Sequence, residues 1–379
     1  MVSRRGVLKI LGGGVVSAAA AGTGAIFVAG QPSKAARAPW REAGQYDDVR
    51  KRALSYALLA PNPHNLQPWL VSLDGDDALT LYHDGERRLP VTDPFDRQIT
   101  IGCGAFLELL SLAATHEGYQ TEIIAFPDGE DMTALDARPV AHVQFVATQG
   151  HKDPLFDQIL SRRTNKTVYE DREVEGEKLA ILAKAGSVFG QTSKTIGESG
   201  VTRDLVELTF DAHVREVTTD AANRESVDLM RLGAKEVAAN PDGIELEGPM
   251  ITAGKWLGMI NRDALADPTS SAFKQGVAMY EDMARSARAF GWISNSNESR
   301  IDQINAGRAY ARMNLEATRL GLGIHPWSQA LQEYEEMSDL YKKAHDLVGD
   351  GERAQMLYRI GYAKTIAPTP RRGLNAHLV

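Results

Sequence analysis

The first part of the chain alternates between segments with helical and strand-like spacing of apolar residues. Residues 47–60 carry their apolar side chains on one face, which predicts an amphipathic helix that ends at Pro61. Residues 69–73 and 79–82 predict two strands joined by a short turn. Residues 99–117 are apolar almost throughout, so we expect this helix to lie buried at the centre of the fold.

The remaining residues predict more strands and then a mostly helical region. Strands are expected at residues 121–126 and 141–147, and a last strand at residues 355–362. Helices are predicted at residues 155–163, 178–188, 203–218, 224–239, 270–290 and 302–322. We therefore expect an α+β fold in two parts, with a join near residues 151–154.

The first 38 residues have the composition of a targeting segment. Arg4-Arg5 precedes a Gly- and Ala-rich apolar run over residues 10–30, and this pattern resembles a signal for the twin-arginine translocation machinery. That machinery exports folded proteins, which suits a protein that binds its cofactor before export. Ala36-Arg37-Ala38 has the form of a cleavage site, but Pro39 disfavours cutting there. We expect export to the periplasm or cell envelope, with residues 1–38 either removed or kept as a membrane anchor.

Composition and charge exclude several classes of function. The chain has 379 residues and is 43% hydrophobic, as in ordinary globular proteins. Its net charge of −8 gives no attraction to nucleic acid, so we expect no nucleic-acid partner, and membrane contact only through an uncleaved anchor. The single cysteine, Cys103, excludes an intramolecular disulfide and a multi-cysteine cluster. No cluster of residues has the spacing of metal ligands, so we expect no metal site.

Residues 60–69 read Ala-Pro-Asn-Pro-His-Asn-Leu-Gln-Pro-Trp and follow the first predicted helix directly. The amides of Asn65 and Gln67 can donate and accept hydrogen bonds around a planar polar ligand, while Asn62 and the prolines restrict the backbone. The alternative is that these residues only stop a helix and start a strand. In either case Trp69 is expected to anchor the core.

A cluster of cations follows about a hundred residues later in the sequence. Arg162, Arg163 and Lys166 offer two guanidiniums and an ammonium, and Thr164 adds a hydroxyl. Arginine presents a fork of donors that matches phosphate oxygens, so this group suits a phosphate. The alternative is a solvated basic helix end that the helix dipole favours.

Several segments resemble those of the nitroreductase-like flavoproteins. Residues 60–69 are similar to that family's Ala-Pro-Ser-x-x-Asn-x-Gln-Pro-Trp signature, and residues 162–166 to its Arg-Arg-Ser-x-Arg phosphate-binding segment. Residues 321–327 are similar to its Gly-Leu-Gly flavin-edge loop, and residues 360–362 and 369–372 to its terminal strand and last basic residues. The resemblance implies that the chain binds FMN.

The order of these segments differs from that of an ordinary nitroreductase, in which the arginine segment comes before the Asn-x-Gln loop. Those enzymes are usually intertwined homodimers, and here one chain carries the parts that two subunits supply. The sequence therefore resembles the internally duplicated, Acg-type members. This implies a nitroreductase-like fold of two fused half-units, residues 39–150 and 151–379, each with a small antiparallel sheet flanked by helices. One FMN site is expected to survive.

The resemblance implies a set of cofactor-binding residues from both half-units: Pro61, Asn62, Pro63, Asn65, Gln67, Arg162, Arg163, Thr164, Lys166, Gly323, Ile324, His325, Arg371 and Arg372. Gly321 and Gly323 let backbone amides approach the edge of a flavin, where negative charge develops on reduction. His64 and His325 are more often hydrogen-bonding residues than proton donors, so no catalytic side chain is named.

The function implied is an FMN-dependent oxidoreductase that passes two electrons, through flavin N5, from a small-molecule donor to a nitroaromatic- or quinone-like acceptor. An alternative is a protein that binds or sequesters FMN with little turnover, because soluble nicotinamide donors are scarce outside the cytoplasm. A helical insertion over about residues 223–301 could then act as a lid. A hydrolase is a third alternative, although no Gly-x-Ser-x-Gly motif is present.

Overall fold

The structure is a computed structural model that describes residues 29–148 and 152–379. The Arg4-Arg5 motif and most of the predicted export segment lie outside the described residues. Helices alternate with strands through both parts of the chain, and both four-stranded sheets are antiparallel, so the predicted α+β class is confirmed.

The described residues of the first part include three α-helices and one sheet of four strands. Its elements are α1 (Pro39–Glu42), α2 (Val49–Ala57), β1 (Trp69–Asp74), β2 (Ala78–His83), α3 (Arg97–His116), β3 (Tyr119–Ala125) and β4 (Ala141–Ala147). The strands pair antiparallel in the order β1-β2-β4-β3. The Asp48 side chain accepts a hydrogen bond from the Arg50 amide and so caps the start of α2.

The second part has a second four-stranded sheet and a long inserted segment. It begins with α4 (Gly176–Gly186) and β5 (Thr192–Ile196), and it resumes after the insertion with β8 (Ala289–Asn295), α11 (Arg300–Arg319), β9 (Gly323–Pro326), α12 (Ser338–Val348) and β10 (Arg353–Gly361). The second sheet has the order β5-β8-β10-β9. If the strands of each sheet are numbered by their order along the chain, both sheets have the order 1-2-4-3.

The inserted segment connects β5 to β8. It contains α5 (Gly200–Thr218), α6 (Asp220–Asp228), β6 (Met230–Leu232), α7 (Ala234–Ala239), β7 (Ile244–Leu246), α8 (Pro249–Trp256), α9 (Arg262–Ala266) and α10 (Ser271–Arg285). Ser199 caps α5 and Ser270 caps α10 by accepting backbone amide hydrogen bonds. The predicted insertion, residues 223–301, starts inside this segment but runs too far, because β8 belongs to the second sheet.

Helices α3 and α11 pack against each other at the centre of the molecule. A Cβ atom at Gly104 would lie 2.0 Å from the Ile304 carbonyl oxygen, and one at Gly307 would lie 1.9 Å from the Ile101 carbonyl oxygen. Any side chain at either glycine would separate the helices, so the close approach requires both. Each helix is 20 residues long, starts at a buried arginine and places its contact glycine seven positions later.

The last residues of the chain return to the first sheet. Leu374 is buried in the same core as Trp69 and Phe106, and the His377 Nδ1 atom lies 3.0 Å from the Trp69 carbonyl oxygen. Leu378 pairs with Val71 of β1. The C-terminal segment therefore brings residues 363–379 to the loop that precedes β1.

Three expectations about elements need correction. Residues 155–163 do not form an α-helix, because only Phe156–Gln158 makes a short 3₁₀ turn before the chain becomes extended. Residues 224–239 do not form one helix, because β6 interrupts them. The flavin-edge segment was expected in a loop, but Gly323, Ile324 and His325 lie on β9.

One described helix, α3, is long and apolar enough to cross a membrane. However, 83% of its apolar window is buried inside the fold, where it packs against α2 and α11. We assign it to the core, as its hydrophobic pattern predicts.

Candidate functional site

The loop before β1 has an unusual backbone. His64, Asn65 and Gln67 have positive φ angles of 49°, 54° and 53°, a conformation that non-glycine residues adopt rarely. The Asn62 side-chain oxygen accepts a hydrogen bond from the Gln67 amide at 2.8 Å. Such strain persists where surrounding contacts enforce it, and it is common at ligand-binding sites.

The amides of this loop are bound to the C-terminal segment. Gln67 is fully buried, and its Oε1 atom accepts a hydrogen bond from the Arg372 backbone amide at 2.8 Å. Asn65 donates from Nδ2 to the Pro370 carbonyl at 3.1 Å and accepts from Arg371 Nη1 at 2.5 Å. Both side chains therefore hold the loop in shape, and Gln67 is sealed from solvent.

Arg371 is also engaged within the protein. Its guanidinium donates to the carbonyl oxygens of Leu58, Leu59 and Ala60 at the end of the first helical segment, over 2.9 to 3.2 Å. Burial, and after it the nearby charge of Arg162, lower the pKa of Arg371 to about 9. The positive charge of Arg371 therefore lies inside the fold, next to Asn65.

Arg162 lies in the same place but has unused donors. Its Nη2 atom donates to the Leu59 carbonyl at 2.9 Å, an acceptor that it shares with Arg371. The Nε and Nη1 atoms are buried and have no hydrogen-bond partner among the described residues. Burial lowers the pKa of Arg162 to about 10. A buried guanidinium with free donors is unstable unless an acceptor reaches it, so this site suits an anion.

These arginines line a small pocket at the surface. Its volume is about 240 Å³ including the space open to solvent, and its lining residues are Trp40, Arg162, Arg163, Thr164, Ile366, Ala367, Thr369 and Arg371. None of these lining residues is acidic, so three guanidiniums share the pocket without a carboxylate. The Arg163 guanidinium stacks 4.7 Å from the centre of the Trp40 ring, and Trp40 Nε1 donates to the Thr369 carbonyl.

The pocket joins the edge strand β9 through the segment after Arg163. Thr164 forms an isolated bridge with Ile324, and the Asn165 amide donates to the Ile324 carbonyl at 2.8 Å. His325, the next residue on β9, is buried, and its Nδ1 atom accepts from Arg359 Nε at 3.1 Å. Burial first and the Arg359 charge second lower the pKa of His325 well below its usual value, so this imidazole is neutral.

Lys166 is exposed and has no hydrogen bond or ion pair in the part of the chain that the structure describes. Its charge acts on His64, His325 and Glu216, since it lowers the pKa of each. His64 lies in the loop before β1, and His325 lies on β9. Lys166 therefore faces the space between these two elements.

The structure brings together most of the residues expected at the site. Residues of the first part (Asn65, Gln67), of the middle (Arg162, Arg163, Thr164) and of the C-terminus (Arg371, Arg372) meet around the pocket and the loop. Pro61, Asn62 and Pro63 shape the loop, with Asn62 and Pro63 against Gly102 of α3. Gly323 and Ile324 lie on β9, which is linked to this group by the bridge between Ile324 and Thr164.

Sequence reasoning missed Trp40 and Glu216. Trp40 lies just after the predicted export segment, in a region with no site motif. Glu216 is a buried carboxyl on α5, and no local pattern distinguishes it from the other acidic residues of that helix. Burial raises the pKa of Glu216 to about 7, although hydrogen bonds from Gln332 and Ser226 act against the rise.

The described residues contain no cluster of three or more His, Cys, Asp or Glu that could hold a metal ion. Cys103 is buried in α3, where burial raises the pKa of its thiol to about 12. The thiolate, which is the reactive form, is therefore absent near neutral pH.

No family model matches the chain. It is 25% identical over 335 residues to a Mycobacterium tuberculosis protein provisionally named an NAD(P)H nitroreductase, covering 86% of this chain and 89% of that protein. It is 24% identical over 300 residues to PigM of Serratia, also provisionally named an NAD(P)H nitroreductase, covering 76% and 82%. It is 34% identical over 124 residues to the M. tuberculosis protein acg, covering 33% and 37%.

Solved structures are also similar. The FMN-dependent nitroreductase NfnB from Mycobacterium smegmatis, in complex with NADPH, aligns at 19% identity and a TM-score of 0.37. The alignment covers 59% of this chain and 96% of that one.

Proposed function

We propose that the protein is an FMN-binding oxidoreductase of the nitroreductase type. The observation that carries the proposal is the arginine-lined pocket, in which buried Arg162 has unused donors beside the Asn65 and Gln67 loop. Relatives that align over most of the chain bear nitroreductase names. The pocket and these names support the same class of function.

The residues present fit the phosphate of FMN. Its dianion would accept hydrogen bonds from Nε and Nη1 of Arg162, and Arg163 and the Thr164 hydroxyl line the same pocket. Arg371 would act through its charge, because its own donors are bound to carbonyl oxygens and to Asn65. Lys166 would add a further positive charge from the solvent side.

The loop before β1 and strand β9 would hold the rest of the cofactor. Asn65 and Gln67 fix the loop through Arg371 and Arg372, and the backbone of Gly323 to His325 supplies groups at the other side. His325 stays neutral and therefore does not repel Arg359. When bound, FMN would supply the two-electron chemistry, and the protein would position it and shield it from water.

Names of the relatives support NAD(P)H as the small-molecule electron donor. A nitroaromatic or quinone is the acceptor that we propose, because planar acceptors can take the place that the donor leaves. The donor and then the acceptor would occupy the same position beside the cofactor.

We further infer that the chain is an internally duplicated pseudo-dimer of the Acg type. Three observations support this: the two sheets have the same strand order, α3 and α11 have equal lengths, and each of these helices places a buried arginine seven residues before its contact glycine. The half-units would be residues 39–150 and 151–379, although the C-terminal segment packs on the first sheet.

A second candidate function is FMN sequestration with little turnover, and one observation favours it. The inserted segment contacts the loop before β1, residues 60–68, which we call the cofactor loop. The Gln67 side-chain Nε2 atom donates to the Pro241 carbonyl at 3.0 Å, and the Gly243 backbone amide donates to the Asn65 carbonyl at 3.1 Å. A lid held in this way would restrict access for an acceptor.

Binding and turnover separate these functions. We would purify the full chain, record its visible absorbance, titrate FMN and follow NAD(P)H oxidation with a nitroaromatic and with a quinone. Arg162→Ala should weaken FMN binding about 10- to 100-fold, whereas Arg203→Ala, at an exposed site on α5, should not. A colourless protein that binds no added FMN would refute both flavin functions. A yellow protein that is inactive with every donor and acceptor would favour sequestration.

We also propose export by the twin-arginine route to the periplasm or cell envelope. The described end of the predicted segment bears on its cleavage: Ala36 is 3% exposed, its carbonyl accepts from the Arg371 amide at 2.8 Å, and Arg37 pairs with Glu247 at 2.6 Å. Peptidases bind extended chain, so cutting at residues 36–38 would require these contacts to open first. We expect the folded protein to keep this site intact and residues 1–38 to serve as an anchor.

Cell fractionation and N-terminal sequencing test this proposal. Replacement of Arg4 and Arg5 by lysine should leave the protein in the cytoplasm. A mature N-terminus at residue 39 would contradict the expected protection, and unchanged localisation of the lysine variant would contradict the export route.

A further inference from the structure

A chain of polar side chains leads from the cofactor loop into the inserted helices. The His64 Nε2 atom lies 3.0 Å from the Ser226 Oγ atom, and Ser226 Oγ lies 3.4 Å from Glu216 Oε1. Gln332 Nε2 donates to the other carboxyl oxygen of Glu216 at 2.9 Å. Ser226 and Glu216 are buried, on α6 and α5, so the inserted segment supplies two members of the chain.

One end of this chain of side chains, His64, lies on the loop before β1. His64 Nδ1 has no hydrogen bond to the described residues, and it is not among their sealed side-chain atoms. His64 precedes Asn65, which contacts Arg371, and it lies within the electrostatic reach of Lys166. His64 therefore has a ring nitrogen that is free of protein hydrogen bonds, on the same loop as Asn65.

The protonation states suit the movement of a proton. Burial above all, with a smaller contribution from Glu225, raises the pKa of Glu216 to about 7 against the opposing charge of Lys166. Tyr334 also faces Glu216, whose charge raises the pKa of the tyrosine. Burial and then Lys166 lower the pKa of His64 to about 4, so its ring is neutral. Glu216 can therefore hold a proton at neutral pH while His64 exchanges one between its two nitrogens.

We propose that Glu216, Ser226 and His64 form a proton relay that protonates the electron acceptor in the candidate site. The proposal rests on the oxidoreductase function given above. A quinone that receives a hydride equivalent carries a negative charge on one oxygen, and a proton must neutralise it. The FMN proposed above would supply the two electrons when bound, and the relay would supply this proton.

The relay balances its protons at each atom. The Glu216 carboxyl passes its proton to Ser226 Oγ, the Ser226 hydroxyl passes its own to His64 Nε2, and His64 Nδ1–H passes a proton to the acceptor oxygen. Glu216 is left as a carboxylate, Ser226 is unchanged, and the imidazole remains neutral as its other tautomer. Water then protonates Nδ1, and the Nε2 proton returns to Glu216. The 3.4 Å step from Ser226 to Glu216 is long and must shorten during transfer.

The experiment uses the full chain and three variants. Glu216→Gln removes the proton source, Ser226→Ala interrupts the relay, and Glu207→Gln serves as a control because Glu207 is an exposed carboxylate on the same helix. Infrared difference spectra over a pH titration should show a protonated carboxyl band that disappears near pH 7 and that Glu216→Gln lacks. Ser226→Ala should keep this band.

Single-turnover oxidation of the reduced protein by a quinone gives the second measurement. The rate of the unmodified protein and of the Glu207→Gln control should fall as the pH rises through about 7. Both Glu216→Gln and Ser226→Ala should lose this pH dependence and react about 100-fold more slowly at low pH, with unchanged FMN affinity. If Glu216 acted only through its charge, Ser226→Ala would keep the rate and the pH dependence of the unmodified protein.

Failure of the relay is distinguishable from failure of the proposed function. If the protein binds FMN and turns over, but both variants keep the pH profile of the unmodified protein, the relay is refuted and the oxidoreductase function stands. The absence of the infrared band at pH 6 in the unmodified protein would overturn the relay without any turnover measurement. A protein without FMN binding would overturn both.

Discussion

Replacement of Arg162 by methionine should stabilise the protein without FMN and weaken its binding of FMN. The side chain is 2% exposed, and two of its three guanidinium nitrogens have no partner among the described residues. Methionine fills a similar volume without the charge. The two effects have opposite signs because the same buried charge is unfavourable alone and favourable beside a phosphate.

The magnitude follows from the pKa of Arg162. Burial lowers this pKa from 12.5 to about 10, which corresponds to roughly 3 kcal/mol of unfavourable free energy for the charged form. The variant also loses the hydrogen bond to the Leu59 carbonyl, which contributes about 1–2 kcal/mol. We therefore expect a net gain of about 1–2 kcal/mol in the free energy of unfolding without FMN, or a few degrees in Tm. Lost phosphate hydrogen bonds of about 1.5–3 kcal/mol should raise the Kd for FMN about 10- to 100-fold.

Two measurements check these effects on the same samples. Thermal unfolding with and without FMN gives both stabilities, and quenching of the tryptophan fluorescence gives the Kd, because Trp40 lines the pocket. Arg203→Met is the matched control at an exposed site and should change neither quantity. A variant that is destabilised without FMN and binds FMN with the original Kd would refute the role assigned to Arg162.

Three further results are expected. Gly104→Ala and Gly307→Ala should each destabilise the protein by about 4 kcal/mol or more, because the new Cβ would lie about 2 Å from a backbone oxygen of the partner helix. Gly276→Ala on α10, where a Cβ meets nothing within 4 Å, should stabilise it by about 1 kcal/mol, and urea unfolding would measure all three. Cys103 should resist alkylation in the native protein at pH 8 and react in urea, since burial raises its pKa to about 12; rapid labelling of native protein would contradict this assignment. Glu216 binds its proton more tightly when folded than when unfolded, with a pKa of about 7 against 4.5, so its contribution to stability is present below pH 4.5 and is lost as the pH rises through 7. Relative to the unmodified protein, Glu216→Gln should therefore be more stable at pH 8 than at pH 5 in thermal unfolding, and an equal difference at both values would disprove the shifted pKa.

Much of the first part of the fold could be predicted from local patterns. The long apolar run predicted α3, and alternating residues predicted β1, β2 and β4, because these elements bury one continuous face or side. Strands β5, β8 and β9 were not predicted. β8 is buried at every position, so it lacks the alternation that distinguishes a strand from a buried helix segment.

The candidate site was also predictable in part, because several of its residues lie in short local motifs. Arginines, amides and glycines in short motifs carry a recognisable chemistry, which allowed Arg162, Asn65 and Gln67 to be chosen. The exposure of each donor could not be predicted from the sequence. Nor could the sequence show that the Gln67 side-chain oxygen is bound by the Arg372 backbone amide while Arg162 keeps two unpartnered nitrogens. Hydrogen-bond partners from distant parts of the chain decide which polar groups remain available.

The sequence by itself determined the α+β class, the central apolar helix, the arginine cluster and the loop before β1, because each depends on residues that are near one another along the chain. The tertiary structure decided that Arg162 and Arg371 share the Leu59 carbonyl, that Trp40 closes their pocket, and that Glu216 reaches His64 through Ser226. These contacts join residues separated by tens to hundreds of positions. Their energies depend on burial and on the nearness of other charges, and both arise only when the chain has folded.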